Sequence, residues 1–278
     1  MNILKSIVLG IVEGITEWIP ISSTAHMKIF NKFLHLDVTP EFYGVFEVVI
    51  QLGAIIALLI VLWNRIWPFG KSKKPLGNGL LSYVKKDKFF LWLKIAVACI
   101  PVILYKLLLD DIVNFINEDN EMIFIAVALI VVGIVFIVVE FMISGKKPSI
   151  NSTKDITFMS AFIIGLAQLV AAVFPGVSRS GATIICLLLM GVSRLAATEF
   201  TFELAIPVML GASLMEIIKF DGTFLLADMI CLLVGCIFAF AVSLFVIRFI
   251  LNFIKKNKFT IFGIYRVILG IIIIALFI

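Results

Sequence analysis

Two stretches decide the fold: Glu13-Gly14-Ile15-Thr16-Glu17-Trp18-Ile19-Pro20-Ile21-Ser22-Ser23-Thr24-Ala25-His26 and Pro175-Gly176-Val177-Ser178-Arg179-Ser180-Gly181-Ala182-Thr183. Each puts charge, hydroxyls and helix breakers inside an otherwise apolar region. Around them run hydrophobic segments of about 18–25 residues, the length of an α-helix that crosses a bilayer. Of the 278 residues, 62% are hydrophobic and 15% charged, and the mean hydropathy is +1.19. A soluble domain carries about 45–50% apolar and about 25% charged residues. The composition therefore predicts an integral membrane protein and excludes disorder, coiled coils and secreted disulfide scaffolds. The runs lack the short alternating pattern of a barrel strand.

Six runs predict ordinary transmembrane helices at about 45–63, 89–108, 122–143, 201–218, 225–252 and 260–278 (~20 residues suffice to span). Residues 3–36 and 157–192 instead predict two short helices joined by a polar turn. Basic loops orient the chain. Arg65 with Lys71, Lys73, Lys74, Lys85, Lys86 and Lys88, then Lys146, Lys147 and Lys154, then Lys255, Lys256 and Lys258, are placed inside. The loop with Asp110, Asp111, Glu118, Asp119 and Glu121 is placed outside. That assignment closes only if each broken stretch returns to the side it entered from, the first outside and the second inside. The expected fold is one all-α polytopic membrane domain of two inverted-topology repeats, 1–143 and 157–278. Each repeat is a re-entrant helix hairpin, about 3–36 or 157–192, plus three transmembrane helices.

An internal repeat supports this. With Gly10 aligned to Gly165, Glu13 meets Gln168, Pro20 meets Pro175 and Ser23 meets Ser178 without a gap. Phe46-Glu47-Val48-Val49-Ile50 then matches Phe202-Glu203-Leu204-Ala205-Ile206, and Leu52-Gly53-Ala54 matches Leu210-Gly211-Ala212 after a short insertion. Inverted repeats with broken helices place a site near the midplane, where they meet.

The chemistry concentrates in the same residues. Glu13 and Glu17, four apart, share one helical face. A charge at a helix centre costs roughly 2.5–3.5 kcal/mol, so the pair faces a polar interior or the interface. It suits a divalent cation or proton transfer. Ser22, Ser23 and Thr24 follow Pro20, where they cap a new helix or bind substrate. Ser23 beside His26 forms a candidate nucleophile–base pair. Arg179 with Ser178, Ser180 and Thr183 and a helix N-terminus forms an oxyanion or phosphate cradle. Gln51, Glu47 and Glu203 read as hydrogen-bonding residues near span starts, with Gln51 also a candidate substrate contact. Glu140, Arg248 and Arg266 read as interface or helix–helix pairing residues. An acidic, hydroxyl and imidazole hairpin facing an Arg-based one would suit an anionic head group on an apolar tail.

Cys99, Cys186, Cys231 and Cys236 all lie in apolar segments without metal-ligand spacing, so no disulfide is expected. Glu13 and Glu17 interrupt the N-terminal run, which argues against a signal peptide. The lysine clusters are short and lie between spans, so no nucleic-acid partner is expected.

The stretch from Glu13 to His26 and the one from Pro175 to Ile184 closely resemble the two signature motifs of the bacterial undecaprenyl-diphosphatase family of the bacitracin-resistance type. Segments 46–54 and 200–212 also resemble the family, and the likeness spans essentially the whole chain. The resemblance implies a membrane phosphatase that converts undecaprenyl diphosphate to undecaprenyl phosphate and inorganic phosphate, recycling the lipid carrier for cell-wall synthesis. It implies a divalent cation (Mg²⁺ or Ca²⁺), a site facing the outer side of the cytoplasmic membrane, and a homodimer. The family's paired glutamates fall on Glu13 and Glu17, its serine on Ser23, its histidine on His26, and its phosphate-binding pair on Ser178 and Arg179. Ala25 stands where the family usually has glycine, and Glu203 where it is usually apolar. The expected catalytic set is Ser23, His26, Glu17 and Arg179: either Ser23 attacks the phosphorus with His26 moving the proton, or His26 attacks or activates water with Ser23 a phosphate ligand. A polyprenyl-phosphate flippase using the same head-group site is the alternative function.

Overall fold

The computed structural model describes residues 1–71, 74–108 and 118–277. Among these it is all-helical, with three isolated β-bridges and no strand. The helices are α1 (Asn2–Thr16), α2 (Ser23–Leu34), α3 (Pro40–Val49), α4 (Gln51–Ile66), α5 (Lys86–Leu108), α6 (Glu118–Met142), α7 (Phe158–Val173), α8 (Arg179–Leu189), α9 (Arg194–Lys219), α10 (Leu226–Ile254) and α11 (Thr260–Phe277). Six stretches are long and apolar enough to cross a membrane, the first being α3 and α4 read together as Pro40–Ile66. The expected breaks fall at 17–22 and 174–178.

Two spans begin earlier than expected, and capping explains both. Thr39 accepts from the Phe42 N–H, with Pro40 at the first helical position, and Ser193 accepts from the Ala196 N–H. Both arrangements satisfy helix-end donors. Glu199 thereby joins Glu203 in α9, where Arg65 pairs with both, at 2.7 Å to Glu203. Asp110 and Asp111 of the expected acidic loop lie outside the described residues.

Side-chain contacts define two ends of the bundle. At one, the start of α1 meets the α2–α3 connection: Asn2 donates to the Asp37 carbonyl at 2.8 Å, and Lys5 reaches the Asp37 carboxylate at 2.9 Å. That hydrogen bond and charge hold the Asp37 carboxyl below its usual range. At the other end, the connection before α7 meets the α8–α9 connection: Ser193 N–H donates to the Ile150 carbonyl at 2.8 Å and Ser149 N–H to that of Gly191 at 2.9 Å.

Helix contacts are close where glycine permits. A Cβ on Gly10 would lie 2.4 Å from the Gly235 carbonyl oxygen, and one on Gly165 would lie 2.4 Å from that of Ala98. In this way α1 seats on α10 and α7 on α5. A Cβ on Gly53 would lie closer still, 2.0 Å from the Cys236 carbonyl oxygen, so α4 seats on α10. Trp18 anchors the first turn, donating to Ser243 Oγ at 2.8 Å and meeting Phe202 edge-on at 5.1 Å. We expect Gly53→Ala to force α4 off α10 and cost about 1–3 kcal/mol. Gly211→Ala meets nothing within 4 Å and should be neutral. Thermal unfolding of the two variants in detergent checks this difference.

Candidate active site

Both helix breaks end in the same local geometry. Ser22 (φ 74) caps α2 and accepts from the Ala25 N–H, and Ser178 (φ 72) caps α8 and accepts from the Gly181 N–H. A positive φ is unusual for a residue with a Cβ, and strain of this kind is kept where surroundings over-determine it. In backbone conformation Ser178 therefore matches Ser22, not Ser23 as the gapless alignment has it. The reason is that the cap comes two residues after Pro20 but three after Pro175.

The first residues after the two caps, Ser23 and Arg179, converge on Glu17. Ser23 Oγ donates to Glu17 Oε2 at 2.6 Å, and Arg179 Nη2 donates to Glu17 Oε1 at 2.7 Å. Arg179 Nη1 is buried without a partner. A cavity of about 200 Å³ opens here, and the expected residues Glu17, Ser22, Ser23, Thr24 and Gln51 line it together with Ser178, Arg179 and Ser180. Met209 and Ala212 of α9 close it with apolar surface.

Three expected site residues do other things. His26 makes no hydrogen bond to Ser23. Its Nδ1 donates to the Ser22 carbonyl at 2.7 Å, and its Nε2 lies 2.7 Å from the Tyr265 hydroxyl, with the two rings nearly parallel. The carbonyl can only accept, so in the neutral ring Nδ1 carries the proton and Tyr265 donates. Thr183 is fully buried, and its hydroxyl bonds to the Arg179 carbonyl and to Thr201 Oγ1, both at 3.0 Å. Glu13 is fully buried, and neither of its carboxylate oxygens has a hydrogen-bond partner.

Sequence reasoning missed Tyr265 and took Arg266 only as a pairing residue. Arg266 is fully buried and joins the two breaks: Nη1 donates to the Pro20 carbonyl at 3.2 Å, and Nη2 to those of Gly176 at 2.8 Å and Val177 at 2.9 Å. The available signal was a cation inside an otherwise apolar final span, which is costly unless it serves something.

The chain matches the family model described as bacitracin resistance protein BacA over residues 6–272. It belongs to that family. A protein of Desulfitobacterium hafniense named undecaprenyl-diphosphatase is 48% identical, covering 100% of this chain and 96% of its own length. Proteins of the same name from Lachnoclostridium phytofermentans and Enterococcus faecalis are 47% and 46% identical, covering 100% and 99% of this chain and 97% of each relative. Together with the six spans, membership of the BacA family makes the chain a multi-pass membrane protein.

We expect Arg266→Met to leave three buried carbonyls unpaired, each worth about 1–3 kcal/mol, and to let the breaks separate. With Cys99, Cys186, Cys231 and Cys236 replaced by alanine, a cysteine at position 23 should react at least about tenfold faster with a water-soluble thiol reagent in the Arg266→Met protein than with Arg266 present, which reads a local opening of about 1.4 kcal/mol.

Proposed function

We propose that the chain removes one phosphate from undecaprenyl diphosphate, leaving undecaprenyl phosphate and inorganic phosphate. One observation carries this reading: Ser23 and Arg179, from different helix breaks, share the Glu17 carboxylate in one cavity. In this reading Ser23 is the nucleophile, Glu17 its proton acceptor and Arg179 the phosphate-binding cation, and the two hydrogen bonds to one carboxylate support it. Relatives 46–48% identical over nearly their full length, named undecaprenyl-diphosphatase, support the substrate.

In the first step Ser23 Oγ attacks the terminal phosphorus and its proton passes to Glu17. The new Oγ–P bond forms as the bridging P–O bond breaks, and undecaprenyl phosphate leaves. Glu17 hands that proton to the departing phosphate oxygen and is again a carboxylate. Water then attacks the phosphoserine phosphorus and gives a proton to Glu17, the Oγ–P bond breaks, the proton returns to Ser23 Oγ, and inorganic phosphate departs. Arg179 turns its unpaired Nη1 to the phosphate oxygens, and Ser178, Ser180 and Gln51 add neutral donors. Phosphoryl transfer rests on such positioning and charge neutralisation. His26 is the positioning partner of the Ser22 turn rather than the base for Ser23.

A divalent cation fits the donor set. Glu13 offers two buried, unpaired carboxylate oxygens one helical turn from Glu17. Among the described residues no cluster of three or more His, Cys, Asp or Glu could hold a metal, so phosphate oxygens and water would fill the remaining positions, as is common for Mg²⁺. Bound there, Mg²⁺ or Ca²⁺ would neutralise diphosphate charge.

The same reading takes the fold as two inverted repeats, each a re-entrant hairpin plus three spans. Its supports are the shared order of short helix, break, short helix and three spans in 1–143 and 157–278 (the first span being divided into α3 and α4 in one half only), the paired serine caps, and the matching approaches of Gly10 and Gly165. With the lysine-rich end inside, the cavity lies toward the outer face of the cytoplasmic membrane, since it borders the C-terminal half of α9. A second reading, lipid translocation, draws on the hairpins meeting between the two halves.

Purified protein should release phosphate from undecaprenyl diphosphate, and a chelator should stop it. Ser23→Ala, Glu17→Gln and Arg179→Ala should each lower kcat by about 10²–10³ or more, while Tyr265→Phe should cost about tenfold. Folded wild type that releases no phosphate with either metal would turn the assignment to translocation, measured in liposomes.

A further inference from the structure

Two cavities lie at the lysine-rich end of the bundle, and they differ in charge balance. The smaller, about 320 Å³, is lined by Lys74, Lys85, Lys88 and Lys154, but Asp87 lies among them and pairs with Lys154 at 2.7 Å. Arg65 on its wall is already bound to Glu199 and Glu203. Lys88 donates to the Asn64 carbonyl. These cations are largely answered by the protein itself.

The larger, about 550 Å³, lies where the turn after α6, the α8–α9 connection and the α10–α11 turn come together. Lys146, Lys147, Lys255, Lys256, Lys258 and Arg194 line it, and no acidic residue does. Its one nearby carboxylate, Glu140, is 2% exposed and fully engaged. Glu140 takes Arg194 through two hydrogen bonds at 2.7 and 2.5 Å and the Phe259 N–H at 2.9 Å. That fastening joins α6, α9 and the α10–α11 turn into a fixed wall and removes Arg194 from the charge balance. Lys255 bonds to the neutral Asn252 side chain at 3.1 Å. Five lysines therefore face one cavity with no anion to offset their repulsion. Below them the lining is apolar, and Met142 and Leu189 are 51% and 56% exposed at its edge.

Topology alone accounts for basic loops at this end. It does not account for their convergence on a walled cavity without acids, above an apolar edge that opens where the bilayer would lie. We infer that this cavity is a binding site for a phosphate-bearing anion, held as the head group of an anionic phospholipid: the phosphate sits among the lysines and an acyl chain lies along Met142 and Leu189. Basic pockets between helices recognise anionic head groups in this way. The site is separate from the cavity at Glu17 and does not depend on the phosphatase reading.

The test uses the full chain in neutral detergent. Phosphatidylglycerol at about 100 times its dissociation constant should raise the thermal midpoint by about 5 °C, and phosphatidylcholine should not. The variant Lys146→Gln/Lys147→Gln/Lys256→Gln/Lys258→Gln should lose the shift. If that variant does not fold, Lys146→Gln/Lys147→Gln and Lys256→Gln/Lys258→Gln should each lose about half. Lys85→Gln, in the smaller cavity, should keep all of it. Glycerol 3-phosphate separates the sources: no shift assigns the site to lipid, and a full shift, lost in the same variants, assigns it to a soluble phosphate ester. An equal response in wild type and the lysine variants, or an equal loss in Lys85→Gln, overturns the site.

Discussion

The rest of the molecule depends on the buried Arg266 guanidinium holding the carbonyls of Pro20, Gly176 and Val177. Both helix breaks carry backbone groups into the interior of an apolar bundle, where an unpaired carbonyl costs about 1–3 kcal/mol. Irregular backbone at that depth persists only where protein or a wet cavity satisfies it. One planar cation from α11 does so for both breaks at once. It thereby fixes the distance between two segments more than 150 positions apart, and Ser23 and Arg179 follow from that distance.

The cavity above this clamp is polar on the side of the breaks and apolar on the side of α9. That division suits a head group attached to a long tail. Both Glu17 oxygens there are engaged, by a hydroxyl and a guanidinium, so its burial is compensated. Glu13, four residues earlier on the same face, has no such compensation. On the proposed function, that contrast matches Glu17 to proton handling and Glu13 to the cation.

The breaks themselves were legible because proline, glycine and hydroxyls have no other business in a run meant to be apolar. The grouping of Glu17, Ser22, Ser23, Thr24, Gln51 and Arg179 was legible for the same reason. What local spacing could not reveal were partners from distant helices. Ser23 and His26, three apart, looked like a pair, but the strained Ser22 cap leaves Ser23 bonded to Glu17 while Tyr265, 239 positions away, takes His26. Thr183 read as a phosphate ligand from its motif, and packing against Thr201 turned it inward. The expected span at 201–218 began after Glu199, whose charge in the helix is answered by Arg65 from α4, a partner that local spacing could not show.

If the halves are inverted repeats, their differences locate the chemistry more sharply than their likeness. The scaffold is duplicated: cap, turn, close-packed glycine and three spans. Where Glu13 stands in one half, Gln168 stands in the other, and its amide is spent on the Ala98 carbonyl at 3.1 Å. Where Ser23 follows one cap, Arg179 follows the other. A symmetric pair of serines would leave a diphosphate without a counter-charge, and a symmetric pair of arginines would leave it without a nucleophile. On the proposed function each half keeps the geometry and supplies one part of the chemistry, so the reaction would require both breaks and the single arginine that holds them together.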